Sequence, residues 1–144
     1  MGTHAFWSNI APSLGCGIDI RVKEIDYPKL RQLLDGWRRF NPNYFGDFYP
    51  LSPWIRDAKV WIAWQFDRPE AGTGAIQVFR RSDSFYEAAR FKLQGLNPDA
   101  RYSITYLDST ALIESTGRQL MDEGLLVTLK EQPQAAVFLY ERVK

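Results

Sequence analysis

GDFYPLSPWIRDAKVWIAWQFDRPE, residues 46–70, decides how the chain is read. It holds three of the five Trp residues, yet it is studded with Pro, Asp and Arg. From residue 59 the pattern has period two. In KVWIAWQF, Val60, Ile62, Trp64 and Phe66 point one way while Trp61, Ala63 and Gln65 point the other. The face carrying Trp64 is the expected core face. The aromatics before it stand beside turn residues, which leaves three uses open: a core strand, a seam between two structural units, or a sugar-binding surface.

The same period continues downstream. AIQVFR (75–80) reads as a second strand, with the glycines of GTG (72–74) as a hairpin turn rather than a phosphate loop. In ARFKLQ, Ala89, Phe91 and Leu93 alternate with Arg90, Lys92 and Gln94. GLNPDA is a turn, and RYSITYLD puts Tyr102, Ile104 and Tyr106 on one face. Short strands recur at ALIES, LLVTL and AAVFLY, with STGRQLMDEG (115–124) as a turn or short helix. Strands at intervals of about 8 to 12 residues suit an antiparallel sandwich. Residues 55–144 therefore read as a small β-sandwich.

Upstream the character changes. LGCGIDI (14–20) reads as a short buried strand. DYPKLRQLLDGWRRFNP then carries Leu30, Leu33, Leu34, Trp37 and Phe40 at helical spacing. Asp26 is a plausible N-cap, Pro28 suits the first turn and Pro42 ends the helix. Gly36 inside it costs about 1 kcal/mol relative to Ala. One strand and one helix do not make a domain, because each needs a partner surface that the first 45 residues do not supply. Looser order is expected there than in the strands, with faster amide exchange in 1–45 than in 58–108.

Size and charge narrow the classes. The chain has 144 residues, enough for one sizeable core and too short for a barrel of about 250. Its net charge of +1, with acids and bases interleaved, gives no electrostatic case for nucleic acid or an anionic membrane. No apolar run approaches the roughly 18 residues of a membrane span, and no signal sequence is evident. A cytoplasmic location is the expectation. The lone Cys16 excludes an internal disulfide and a Cys-based zinc site.

Catalytic chemistry is sparse. His4 is the only histidine and has no cysteine or acid pair beside it in sequence, so neither a Ser-His-Asp triad nor a His-based metal site is indicated. No cofactor or metal is expected. Cys16 reads as a small buried hydrophobe. Asp26, Asp47, Asp57 and Asp67 sit in cap or turn contexts. Asp19 differs: it lies in the expected strand 16–20 and precedes Arg21, and the C-terminal ends of barrel strands are where functional groups are placed. Trp and Tyr faces can lie against sugar C–H faces, which makes Trp7, Tyr44, Phe48, Tyr49, Trp54 and Trp61 candidates, against the alternative of a seam or core. The substrate-contacting candidates are Trp7, Asp19, Arg21 and Trp54; no catalytic residue is assigned.

The strings FWSNIAPSLGCGIDIR, DYPKLRQLLDGWR, YFGDFYPLSPW, VWIAWQFDRPEAGTGAIQVFRR, FKLQGLNPDARYSITYLD and STGRQLMDEGL resemble successive segments at the C-terminal end of bacterial α-galactosidases of glycoside hydrolase family 36. The resemblance runs from about residue 5 to 140. It implies a retaining glycosidase with a central (β/α)8 barrel followed by an antiparallel β-sandwich of Greek-key type. Residues 1–45 would be the remnant of the last barrel strand and helix, 46–54 the crossing and 55–144 the sandwich. Both catalytic Asp residues of the family come from barrel strands upstream of this segment, and no residue here matches either motif. The resemblance implies partners too: α-galactoside sugars through a parent enzyme and the rest of the barrel. A stand-alone carbohydrate-binding module is the alternative. So is an oligomerisation module, in which the helix face carrying Leu33 and Trp37 would meet a second copy.

Overall fold

A computed structural model of the chain describes residues 2–15, 19 and 21–143. A short helix α1 (Thr3–Ser8) precedes the long helix α2 (Tyr27–Phe40), and a 3-10 turn (Asn41–Phe45) leads into strand β1 (Asp47–Pro50). Then come β2 (Ile62–Arg68), β3 (Thr73–Arg80), β4 (Ala88–Phe91), β5 (Arg101–Tyr106), β6 (Leu112–Thr116), a short helix α3 (Gly117–Asp122), β7 (Leu125–Thr128) and β8 (Gln134–Arg142). Six strands form one sheet in the order β1-β2-β3-β8-β5-β6, and β4 pairs with β7 in a second sheet. Every pairing is antiparallel. The chain is therefore mainly antiparallel β, as its period-two segments require.

The large sheet is covered on both faces. On one side Ala63, Ile76, Val78, Ile104, Ala136 and Phe138 share a core with Phe91, Leu125 and Val127 of the small sheet. On the other, Ala75, Phe79, Ala135 and Val137 share a second core with Phe6 and Trp7 of α1 and Leu33 and Phe40 of α2. This double cover corrects the expected phase of KVWIAWQF. Trp61, Ala63, Gln65 and Asp67 form the more deeply buried face, while Ile62, Trp64 and Phe66 are half-buried under the helices. Both faces of β2 are apolar because each meets a different layer.

The same packing supplies the partner that α2 lacked. Asp26 caps the helix by accepting from the Lys29 N–H at 2.9 Å, as its position before Tyr27-Pro28 suggests. Phe40 is 0% exposed and lies in an aromatic cluster with Trp7, Tyr44 and Phe66, at ring-centre distances of 5.0–6.1 Å. Gly36 now has a reason. A Cβ there would lie 3.2 Å from the Trp7 ring, tighter than an ordinary contact, so the missing side chain lets α1 sit close against α2. Residues 1–45 thus find the partner surface that they do not themselves supply, with Phe6, Trp7, Leu33 and Phe40 buried on the sheet. The proposed Leu33–Trp37 contact with a second copy is corrected too: Leu33 is buried, and the half-buried Trp37 packs in the same cluster and donates its indole N–H to the Ala11 carbonyl at 3.0 Å.

Other expectations resolve as follows. The strand expected at 14–20 falls largely on residues 16–18 and 20, outside the described residues; Leu14, Gly15 and Asp19 are in no regular element. Of GTG only Gly72, at φ +66°, lies in the hairpin turn between β2 and β3; Thr73 and Gly74 begin β3. Residues 115–124 hold α3, whose N-terminus is a capping box of Thr116 and Gln119. Part of the stretch read as a crossing, Asp47–Pro50, is an edge strand on β2, with Phe48 opposite Phe66.

Since Phe40 fills the centre of the helix-side core, Phe40→Ala is expected to lower the unfolding free energy by about 3–5 kcal/mol, read from denaturant titration. Loss of α2 and sheet signals in one transition, followed by far-UV and near-UV circular dichroism, is the accompanying expectation.

Candidate functional site

The residues nominated from sequence do not converge. Trp7 is 3% exposed and stacks edge-on to Phe6 at 5.3 Å, with its carbonyl accepting from Gln77 Nε2 at 3.1 Å. Its ring is held between the helices and the sheet and presents no face to a solvent-borne sugar. Asp19 and Arg21 pair with each other at the surface: Arg21 Nε donates to Oδ1 and Nη2 to Oδ2 of Asp19, both at 2.8 Å. The guanidinium holds the Asp19 carboxyl below its ordinary value. Trp54, in the loop after β1, is 82% exposed. No hydrogen bond or ring contact among the described residues joins Trp7, the Asp19–Arg21 pair and Trp54.

The densest polar chemistry lies inside the sandwich instead. β2 and β8 place Gln65, Asp67 and Tyr140 on the inward face near the ends of their strands. Tyr140 Oη donates to Asp67 Oδ1 at 2.6 Å and accepts from Gln65 Nε2 at 2.8 Å. Gln65 Nε2 also donates to the Gln94 carbonyl at 2.8 Å, and its Oε1 accepts the Gln94 N–H at 2.9 Å. Tyr140 can lie here because Gly74 is its cross-strand neighbour on β3; any Cβ at Gly74 would collide with the phenol ring. Burial pushes the Asp67 carboxyl above its ordinary value, the Tyr140 hydrogen bond opposes this, and Asp47 and Glu70 add to it. The Tyr140 hydroxyl is raised by burial first and by its bond to Asp67 second.

A retaining glycosidase needs two carboxyl groups about 5–5.5 Å apart, open to substrate. Asp67 is the only buried carboxylate among the described residues, at 3% exposure, and its Oδ1 accepts from the Tyr140 hydroxyl. It therefore ties strands together. Among the described residues no group of three or more His, Cys, Asp or Glu could hold a metal ion, and no helix is long and apolar enough to cross a membrane. Burial lowers the His4 imidazole below its ordinary value, and its ring packs edge-on to Phe79 at 5.8 Å.

Two clefts remain. One of about 470 Å³ runs between α2 and the end of β5, lined by Trp7, Arg31, Gly36, Arg39, Leu107 and Asp108 among others. The other, of about 390 Å³, opens on the helix side of the sheet where Thr73, Ser103, Thr105 and Glu141 stand below Arg39 and Arg68. Strand alternation put Gln65 opposite the expected core face, and Asp67 reads as a turn residue beside Arg68 and Pro69, so the buried network was missed. The signal available was that this face also carries Trp61, too large a ring to leave in water.

The spacing of these strands is shared. A family model described as the glycosyl hydrolase family 36 C-terminal domain matches residues 61–140, more than half of the chain. The chain belongs to this family. The matched span runs from the first inward Trp of β2 to the Tyr140 that closes the buried network. No curated protein sequence matches the chain. Solved structures resemble it in fold. The galactosidase domain of the α-galactosidase–sucrose kinase AgaSK superposes with a TM-score of 0.69 at 20% identity, covering 84% of this chain and 17% of that one. The family 36 α-galactosidase AgaB from Geobacillus stearothermophilus gives 0.62 at 18% identity, covering 85% and 17%. A variant of AgaA from the same organism, solved with stachyose, gives 0.64 at 20% identity, covering 88% and 17%. The family 36 chain described here thus spans about a sixth of the length of these structures. Residues 61–144 are well under two-thirds of the chain, so the shared fold includes much of the N-terminal segment as well.

The raised Asp67 carboxyl gives a pH test. Its proton is held more tightly in the fold than in the unfolded chain. Its contribution therefore favours the fold fully below the ordinary carboxylate value of 3.8 and is lost as pH rises through the raised folded value. Asp67→Asn keeps an acceptor for Tyr140 and removes the titration. Denaturant titrations from pH 4 to 8 are expected to show a decline for the parent that the variant lacks.

Proposed function

We propose that this chain is the C-terminal accessory portion of an α-galactosidase-like glycoside hydrolase, supporting a catalytic barrel without taking part in bond cleavage. The observation that carries the reading is the burial of Leu33 and Phe40 of α2 on the outer face of the six-stranded sheet. On this reading residues 1–45 are the last strand and helix of a (β/α)8 barrel, 46–54 the crossing and 55–144 the sandwich. The sandwich grips the barrel through its final helix, and β1 fixes the distance between them by pairing with β2. The return of β8 between β3 and β5 supports a sandwich of Greek-key type.

The parent enzyme would release terminal α-linked galactose by a retaining mechanism, using two carboxylates carried on barrel strands. No residue of this chain matches either of the family's catalytic motifs. Its partners are then the rest of the barrel and, through it, α-galactoside sugars. A second reading, a carbohydrate-binding module, rests on one observation: Trp54 presents 82% of its surface to solvent.

The two separate in one pair of measurements. An aryl α-galactoside is expected to be hydrolysed at the rate of buffer alone. Titration with galactose and melibiose into the tens of millimolar is expected to leave Trp fluorescence flat. Turnover above background would overturn the accessory reading, and saturable quenching lost in Trp54→Ala would replace it with the binding module.

A further inference from the structure

Helix α2 stops at Phe40, and the chain turns away through the 3-10 turn into β1 at the edge of the large sheet. The sheet beyond the end of the helix carries the cleft of about 390 Å³. Strand pairing fixes its floor. Thr73 of β3 and Ser103 of β5 stand opposite Glu141 of β8, one on each side, and Thr105 stands opposite Leu139. Directly opposed residues lie about 5 Å apart, so two hydroxyls flank the Glu141 carboxylate and a third stands in the next row. All of them alternate in phase with Ala75 and Val137, on the face that meets α2. Arg39 from the last turn of α2 and Arg68 from the end of β2 complete the walls. Asn43 of the 3-10 turn lines the cleft as well and is 6% exposed; its Nδ2 donates to the Phe40 carbonyl at 3.0 Å, which leaves Oδ1 as the acceptor it can offer.

We propose that this cleft binds a monosaccharide carrying one anionic group, a carboxylate or a phosphate, with the anion on Arg39 and Arg68 and the sugar hydroxyls on Glu141, Asn43 and the three strand hydroxyls. The inference is independent of the accessory reading, since it invokes neither bond cleavage nor a barrel. Its volume stands near the lower end of the range of about 300–1,000 Å³ for small-molecule sites, which suits one sugar ring.

The arrangement of charge chooses the ligand. Arg39 and Glu141 line one cleft, yet among the described residues neither takes part in an ion pair. Arg68 donates Nε to Glu70 at 3.3 Å, and its two terminal nitrogens stand outside that pair. The fold thus holds opposite charges apart across a gap. A molecule that bridges it must be acidic at one end and donate hydrogen bonds at the other. Thr73 and Ser103 beside Glu141 make the second end a place for hydroxyls, because each both donates and accepts. Guanidinium forks match a carboxylate or phosphate at the first. No aromatic face is offered for a neutral sugar to stack on: Tyr140 lines the cleft, but its hydroxyl is turned into the sandwich core, where it donates to Asp67. Charge therefore has to supply the affinity that a ring supplies elsewhere.

The test is isothermal titration calorimetry of the full chain with galacturonate and with galactose 6-phosphate, against galactose and inorganic phosphate. At least one of the two anionic sugars is expected to bind with a dissociation constant of about a millimolar, the strength that roughly a dozen heavy atoms reach at ordinary efficiency. The tighter of the two assigns the anion. Galactose and inorganic phosphate are each expected to bind about tenfold more weakly, since each meets only one end of the cleft. Arg39→Gln, at an exposed position, is expected to weaken the anionic sugar about tenfold with circular dichroism unchanged. Ser103→Ala with Thr105→Val is expected to weaken it about threefold or more. Arg38→Gln is the control: Arg38 pairs with Asp35, stands outside this cleft and is expected to leave binding as in the parent. No saturable heat with either anionic sugar up to about ten times the expected dissociation constant overturns the proposal. Equal binding of galactose overturns the anionic requirement. Equal binding of inorganic phosphate, untouched by the hydroxyl variants, leaves an adventitious ion only and overturns the sugar site.

Discussion

Apolar side chains stand on both faces of the β2–β3–β8 part of the large sheet, and neither face can be left wet when each fully buried large side chain contributes about 1.5–3 kcal/mol. Everything else in the molecule answers to that constraint. The β4–β7 pair covers one face and the two N-terminal helices cover the other. The family 36 model spans only residues 61–140, but the shared fold extends into the helices, as a sheet with two apolar faces requires. Removing either layer would expose a row of Ala, Val and aromatic residues that no rearrangement within the sheet could hide.

Polar groups inside this structure follow the same logic. Gln65, Asp67 and Tyr140 sit in a core and would each carry a desolvation cost if left alone. Together they bond one another and the Gln94 backbone, tying β2 to β8 across β3 through the space that Gly74 leaves. Arg80 solves a harder version. Its guanidinium is buried, and its two terminal nitrogens donate to three carbonyls and the Gln132 amide oxygen, leaving Nε without a partner. Both groups organise the ends of strands, and neither offers an open pair of acids for glycoside chemistry.

Much of the architecture was legible residue by residue. Ala89, Phe91 and Leu93, like Tyr102, Ile104 and Tyr106, turn the predicted way, since one face of β4 and β5 packs inward and period two then marks it. Asp26 and Pro28 marked the start of α2, because capping is a local hydrogen bond. The phase of β2 was not legible. A strand buried on both faces has no wet side to betray its orientation, and Trp61 and Trp64 weigh equally in the sequence. Helix α1 went unread because six residues hold too little periodicity, and its Trp7 packs beside Gly36, 29 residues away in the chain. Of the nominated site residues, Trp7 was placed in the core, while Asp19 and Arg21 found each other two residues apart.

By itself the sequence determined most of the strands after residue 60, the capped helix and the hairpin turn at Gly72, since these follow from local geometry. Tertiary structure alone decided which face of each strand is the inner one, where α2 docks, and which aromatics are left in solvent. Those are choices between surfaces far apart in the chain, and the free energy that makes them appears only when the layers close.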